Sequence, residues 1–274
     1  ITEIETIPVN KSAEAPYFDL MSIEVKEPEY LEDFYVEPLL EKVIEEVKAI
    51  PEQDLIAALD KEIENLNTEK DKNNHFGKIW LDTLSFFDIK PNSTKYDFFL
   101  SKMETDKAKN FIVALGKKIK IGINTQGSFP EKSIKNEELR EICTGLHNYF
   151  SNIEIVILTT PSQQAEKKHF ITRLGCDFVR CSYPTKTIND AAALIQKLDI
   201  IISPDTSIVH IAASFDIPTI SIHENNKDSY RLWSPTSSLH KTIFAENTYG
   251  IKNYSVHDVI KSTTELLKII ELEK

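Results

Sequence analysis

From about Gly116 onward, short unbroken apolar runs alternate with stretches whose apolar residues recur every three or four positions. The first pattern is that of a buried strand and the second that of an amphipathic helix. Strands are predicted at 119–123, 153–158, 178–180, 198–202 and 218–222. A helix is predicted at 136–150, with Leu139, Ile142, Cys143 and Leu146 on one face. Others follow at 162–174, stopped by Gly175, and at 187–197, opened by Thr187 or Asn189. Ile208, Ile211, Ala212 and Phe215 have helical spacing, and a long helix at 256–270 closes the chain. Strands separated by helical crossovers imply a parallel sheet covered on both faces. The fold class is therefore α/β, with a Rossmann-like domain in residues 116–274.

Residues 1–115 are less regular. A strand is predicted at 1–9, helices at 39–50 (ended by Pro51) and 55–66, and a loop at Asn73-Asn74. A helix at 79–87 turns Trp80, Leu81, Leu84 and Phe87 inward, a strand follows at 96–100 and a helix at 105–115. No second complete series of alternating strands and helices is legible here. This part reads as an incomplete or divergent α/β region with a linker.

Charge narrows the function classes. The 274 residues carry 32 Lys and Arg against 43 Asp and Glu, a net charge of −11. That argues against a general nucleic-acid surface or an anionic-membrane surface. Fourteen acidic and four basic residues fall between Glu24 and Glu64, so most of the excess sits on what reads as a solvated helical face. Cys143, Cys176 and Cys181 have neither metal spacing nor a disulfide framework, which points to a reducing compartment. No run is long enough to span a membrane. The chain starts at Ile1, as a fragment or a processed product would.

Three predicted strand ends carry polar chemistry. After the first strand come Thr125, Gly127, Ser128 and Lys132; after the second, Thr159; after the fourth, Asp205, Thr206 and Ser207, with His210 one turn into the helix. A glycine admits close backbone approach to a ligand, hydroxyls and N–H groups bind phosphate oxygens, and lysine adds a compact charge. Asp, Thr and Ser cap a helix whose first N–H groups favour anions. Loops at the carboxyl edge of a parallel sheet converge on one crevice. Lys132 itself reads as solvated, so that its loss leaves folding untouched. His223 and Glu224 read first as a solvated loop, and they are the only residues of the second half that could stand in for a general base.

The order of these motifs resembles the donor domain of the glycosyltransferase family that includes the bacterial lipopolysaccharide heptosyltransferases. The residues that carry the resemblance are Gly127-Ser128 with Lys132, then Asp205-Thr206-Ser207-Ile208-Val209-His210 with Ala212-Ala213. A strand opened by Pro218 and the element Trp233-Ser234-Pro235 follow in order, so the likeness runs over roughly 75–274. It implies a GT-B fold of two facing Rossmann-like domains. It also implies inverting, metal-independent transfer of a heptose or related sugar from a nucleotide-diphosphate donor to a glycan or lipid-linked acceptor, with no cofactor. The implied setting is the cytoplasm, with peripheral contact at the inner membrane face left open. Under the resemblance, Lys132 and the 205–210 loop hold the diphosphate.

The chain departs from the family pattern in three places. Ser207 stands where the family has glycine, and His223-Glu224-Asn225-Asn226 replace Gly-Pro-Thr. The family's acceptor domain starts with a glycine-bearing turn and an acidic general base, and 1–66 offer no counterpart. No catalytic base is therefore assigned, and these residues alone are expected to transfer sugar weakly or not at all. A non-catalytic nucleotide-sugar-binding or accessory protein of the same fold is the alternative. A sugar-nucleotide epimerase is the third reading, for which Asp205 and His210 offer too few acids and bases.

Overall fold

A computed structural model describes residues 75–84, 90 and 95–272. The elements predicted at 1–9, 39–50 and 55–66, the Asn73-Asn74 loop and Phe87 lie outside the described residues. Fourteen helices and strands follow in order: α1 Phe76–Leu84, α2 Lys102–Ala114, β1 Ile119–Asn124, α3 Asn136–Tyr149, β2 Ile153–Leu158, α4 Gln164–Leu174, β3 Val179–Cys181, α5 Ile188–Ile195, β4 Ile200–Pro204, α6 Ser207–Ser214, β5 Thr219–His223, α7 Lys227–Trp233, β6 His240–Phe244 and α8 Val256–Leu272.

The strands form one sheet in the order β3-β2-β1-β4-β5-β6, and every neighbouring pair is parallel. Strand period decides which side each residue fills. Ile121, Ile123, Ile155, Ile157, Ile200, Ile202, Ile220 and Ile222 pack under α3, α4 and α8. Val156, Leu158 and Ile201 face the other way, toward α5, α6 and the end of α2. Each such fully buried aliphatic side chain contributes about 1.5–3 kcal/mol. One buried strand position carries a carboxylate. Glu154, wholly buried on β2, is held between Lys118 (2.9 Å) and Arg180.

The structure departs from the sequence reading in five places. α1 starts at Phe76 and α2 at Lys102, each three residues earlier than predicted. Residues 96–100 are extended but pair with no strand. Their period of two is genuine, because Tyr96, Phe98 and Leu100 turn inward while Asp97 and Phe99 face water. The inward side chains lie on the helical layer, Phe98 against Phe215 at 6.1 Å, instead of joining the sheet. α7 and β6 have no predicted counterpart. β6 is an edge strand without one fully buried side chain, so it lacks the apolar run that marks the others.

Caps agree better with the reading. Thr187 accepts the N–H of Asp190 at 3.1 Å and opens α5. Gly175 closes α4 with φ +69°. α2 is fixed to α5 by Lys107–Asp190 at 2.5 Å.

Candidate functional site

The chain turns back between β1 and β4, which are sheet neighbours although three strands precede β4 in sequence. Such a reversal leaves a crevice outside the carboxyl ends of the strands. A cavity of about 480 Å³ opens there. Four loops line it: Asn124, Gln126, Gly127 and Ser128 after β1, Leu158 to Thr160 after β2, Thr185 to Ile188 after β3, and Thr206 to Ile208 after β4. Its volume lies in the range of small-molecule sites.

Two helix N-termini meet at this cavity, α5 capped by Thr187 and α6 capped by Thr206. The Thr206 hydroxyl accepts the Ile208 N–H at 3.3 Å. Asn124 crosses the β1–β4 seam, its Nδ2 donating to Ser203 Oγ at 3.0 Å and to Thr206 Oγ1 at 3.3 Å. Across the floor, Thr159 and Ser182 share a hydroxyl contact at 3.1 Å, and Thr185 donates to the Thr159 carbonyl at 2.8 Å. The hydroxyl groups are thus fixed before any ligand arrives. Aligned N–H dipoles at two helix starts favour an anionic group.

Beside the cavity, at the ends of β4 and β5, lies a half-buried charge cluster. Lys132 Nζ is 3.1 Å from Glu224 Oε2, with only 16% and 10% of the two side chains exposed. Glu224 Oε2 also accepts the Gly250 N–H at 3.3 Å. His223 is 1% exposed, and its Nδ1 lies 3.7 Å from Asp205 Oδ2. That separation is too long for a hydrogen bond. Burial drives the Asp205 carboxyl up to about 6, with Glu224 adding to the rise and Lys132 opposing it. Burial also drives the His223 imidazole down to about 4, aided by His210 and Lys132. The contact is therefore not an ion pair near neutrality. His223 Nε2 is buried without a hydrogen-bond partner.

These contacts correct the sequence reading. Lys132 is a paired, mostly buried lysine and not a solvated one, because Glu224 descends from the end of β5 to meet it. The 223–224 segment is interior for the same reason.

Gly127 also has a local role. A Cβ there would lie 2.2 Å from the Lys132 carbonyl oxygen, so the turn from 127 to 132 closes only on a glycine. Its N–H donates to Ser133 Oγ at 3.0 Å. Gly127→Ala is expected to open this turn at a cost of about 1–3 kcal/mol, read by thermal melting. An unchanged melting curve would mean the turn relaxes freely.

The predicted site residues therefore divide. Gly127, Ser128, Thr159, Thr206 and Ser207 line the cavity, while Lys132 and Asp205 belong to the neighbouring charge cluster. Thr125 is buried, its carbonyl accepting the Ile134 N–H at 2.9 Å, and it does not line the cavity. His210 sits edge-on to Tyr96 (5.9 Å) and Trp233 (5.8 Å), and burial, then His75, lowers its pKa. Phe76 and His75 complete that wall, Phe76 against Trp233 at 4.3 Å and His75 Nε2 on the Ser234 carbonyl at 3.1 Å.

Asn124, Gln126 and Thr160 line the cavity from the polar loops after β1 and β2, and Thr185, Lys186 and Ile188 line it from a loop that the sequence reading passed over. The polar step Thr185-Lys186-Thr187 between strand and helix is the signal that marks this last loop. No described helix is long and apolar enough to cross a membrane. Among the described residues, no three His, Cys, Asp or Glu side chains gather as metal ligands.

The family model of glycosyltransferase family 9 (heptosyltransferase) matches residues 74–258. The putative lipopolysaccharide heptosyltransferase 4 of Escherichia coli K12 is 27% identical over 186 residues, covering 64% of this chain and 46% of that protein. The fold is similar to that of the family 9 glycosyl transferase of Veillonella parvula DSM 2008, with TM-score 0.59 and 15% identity over 73% of this chain and 61% of that one. It is also similar to E. coli ADP-heptose lipopolysaccharide heptosyltransferase II (TM-score 0.53, 15% identity, 69% and 57%). E. coli heptosyltransferase WaaC, solved with ADP, gives TM-score 0.50 at 17% identity over 69% and 54%. The chain spans about half the length of the curated relative and less than two thirds of each of these structures.

Proposed function

The chain belongs to glycosyltransferase family 9, and from that premise we propose that it is the donor-binding part of an enzyme that transfers a heptose or related sugar from a nucleotide diphosphate. The acceptor is a glycan or lipid-linked saccharide of lipopolysaccharide assembly, reached from the cytoplasmic side of a membrane. The observation that carries this reading is the 480 Å³ cavity at the strand reversal, onto which two helix N-termini open. The nucleoside occupies that cavity, and the diphosphate spans the start of α6 and the turn from Gly127 to Lys132.

Transfer follows from that arrangement. The acceptor hydroxyl oxygen bonds to the anomeric carbon while the bond from that carbon to the diphosphate oxygen breaks. The electron pair leaves with the diphosphate, where N–H dipoles and Lys132 stabilise the growing charge. Attack opposite the leaving group inverts the anomeric centre. The acceptor's proton passes to a general base on the side opposite the leaving diphosphate. No metal and no cofactor is required in this scheme.

Calorimetry with ADP, UDP and GDP, each with and without a chelator, tests the reading. Saturable binding that survives the chelator is expected for at least one nucleotide. Heat seen only with added Mg²⁺ would overturn the metal-free site, and silence with all three would overturn the donor reading itself.

A further inference from the structure

The turn that bears Gly127 and Lys132 also carries Phe129, whose ring stacks on Tyr249 at 5.3 Å and 12°. Tyr249 is 65% exposed, whereas most large aromatic side chains of this domain pack inward. Its loop is held firmly. Ile251 N donates to the Glu131 carbonyl at 2.9 Å and Asn225 N to the Asn247 carbonyl at 2.7 Å. Gly250, at φ +76°, lies so close to Glu131 that a Cβ would fall 2.8 Å from its carbonyl oxygen. Gly250 also donates to Glu224, the partner of Lys132. An exposed aromatic ring on a loop anchored in this way is a rigid surface, not a frayed tip.

Distance ties that surface to the proposed ligand. Lys132 Nζ lies 5.2 Å from the centre of the Phe129 ring. In a nucleotide sugar the sugar ring is bonded directly to the terminal phosphate. A sugar bonded to a phosphate held by Lys132 is thus within reach of the Phe129–Tyr249 pair. Phe129 directly follows Gln126 to Ser128, which line the cavity, and it shares its turn with Lys132. The face of an aromatic ring is electron-rich, and the axial C–H bonds of a pyranose are weakly positive.

We infer that Tyr249, backed by Phe129, is a stacking platform for a pyranose ring held next to the diphosphate. The inference rests on the donor reading above and adds a sugar subsite to it. A pyranose reaches this place either as the donor's own sugar or as the terminal residue of the acceptor. The chemistry is common to both, and the experiment separates them.

Calorimetry on wild type, Tyr249→Ala and Tyr249→Phe uses ADP and ADP-heptose as probes, then methyl α-mannopyranoside added to ADP-saturated protein. Tyr249 is exposed, so the alanine variant is expected to fold, and unchanged ADP affinity confirms it. Tyr249→Ala is expected to weaken ADP-heptose about five-fold if the donor sugar stacks, or the mannoside by a similar factor if the acceptor does. Tyr249→Phe should match wild type, since stacking needs the ring and not the hydroxyl. Equal affinities of wild type and Tyr249→Ala for all three probes would overturn the platform while leaving the donor site standing. An equal loss for ADP and ADP-heptose would also overturn it, because the ring would then be stacking the base. Wild-type protein that binds neither ADP nor ADP-heptose would overturn the platform, and the donor reading falls with it only if UDP and GDP are silent as well.

Discussion

Lys132→Ala is expected to lower the melting temperature of the ligand-free protein by about 5–10 °C. The cause is the carboxylate it strands. Glu224 has 10% of its side chain exposed and faces Lys132 at 3.1 Å, so removing the amine leaves a mostly buried charge without its counter-ion. Breaking a fully buried pair costs roughly 3–5 kcal/mol, and the partial exposure of this one brings the expectation down to about 2–3 kcal/mol. Glu224 keeps one hydrogen bond, from Gly250, which cannot replace the charge. The same variant should weaken diphosphate binding about ten-fold through loss of a charge-assisted contact. Pairing Lys132→Met with Glu224→Gln removes both charges and should restore most of the stability but not the binding. A single variant that melts like wild type would show that the pair does not hold in solution.

The second large effect is one of pH. Affinity for a sugar-bearing diphosphate should fall about five- to ten-fold between pH 5.5 and pH 8, because a ligand's negative charge beside Asp205 raises that carboxyl by about one further unit. The groups facing Asp205 are Lys132 from the turn after β1, and His223 and Glu224 from the end of β5. Below about 6 its carboxyl is protonated and tolerates the incoming phosphates; above that it repels them. ADP-heptose is the right probe, since its diphosphate is esterified at both ends and does not itself titrate in this range. Asp205→Asn should flatten the profile at the tight-binding level. A flat profile in wild type would mean that Asp205 does not face the phosphates.

Folding stability responds to the same cluster with two opposed signs. The raised Asp205 carboxyl contributes stability present below its unfolded value near 4 and lost as pH climbs through 6. The depressed His223 does the reverse, losing stability as pH falls from its ordinary 6.5 toward 4. The two shifts are similar in size, so between pH 4 and 6 they largely offset. His223→Phe should therefore unmask a stability that declines with rising pH.

Strands β2 and β4 were legible in the sequence because a parallel strand buried on both faces is written as a nearly unbroken apolar run, and β1 and β5 because isoleucine recurs at every second position. β6 was not, since an edge strand with a chain such as Lys241 turned to α8 carries no such run. The capping of α6 by Thr206 was legible, because Ser, Thr and Asp at a strand-to-helix step have few other uses. The pairing of Lys132 with Glu224 was hidden. The two residues are far apart in sequence, and each looks on its own like an ordinary surface charge. Gly127 was read as a place for a ligand to approach, and the structure shows that the backbone of Lys132 already approaches it.

Asn124 spans a sequence gap of 79 residues to reach Ser203, and β1 meets β4 only across the same gap. The pairs β1–β2 and β2–β3 close over shorter stretches and need little loop entropy, as do β4–β5 and β5–β6. Local pairings form ahead of distant ones. The chain therefore has the means to assemble as two half-sheets that join along the β1–β4 seam. The cavity does not exist in either half, because its β1 loop comes from one and its α6 start from the other. A ligand that grips both can act only on the joined sheet, which makes nucleotide protection a direct measure of that final docking step.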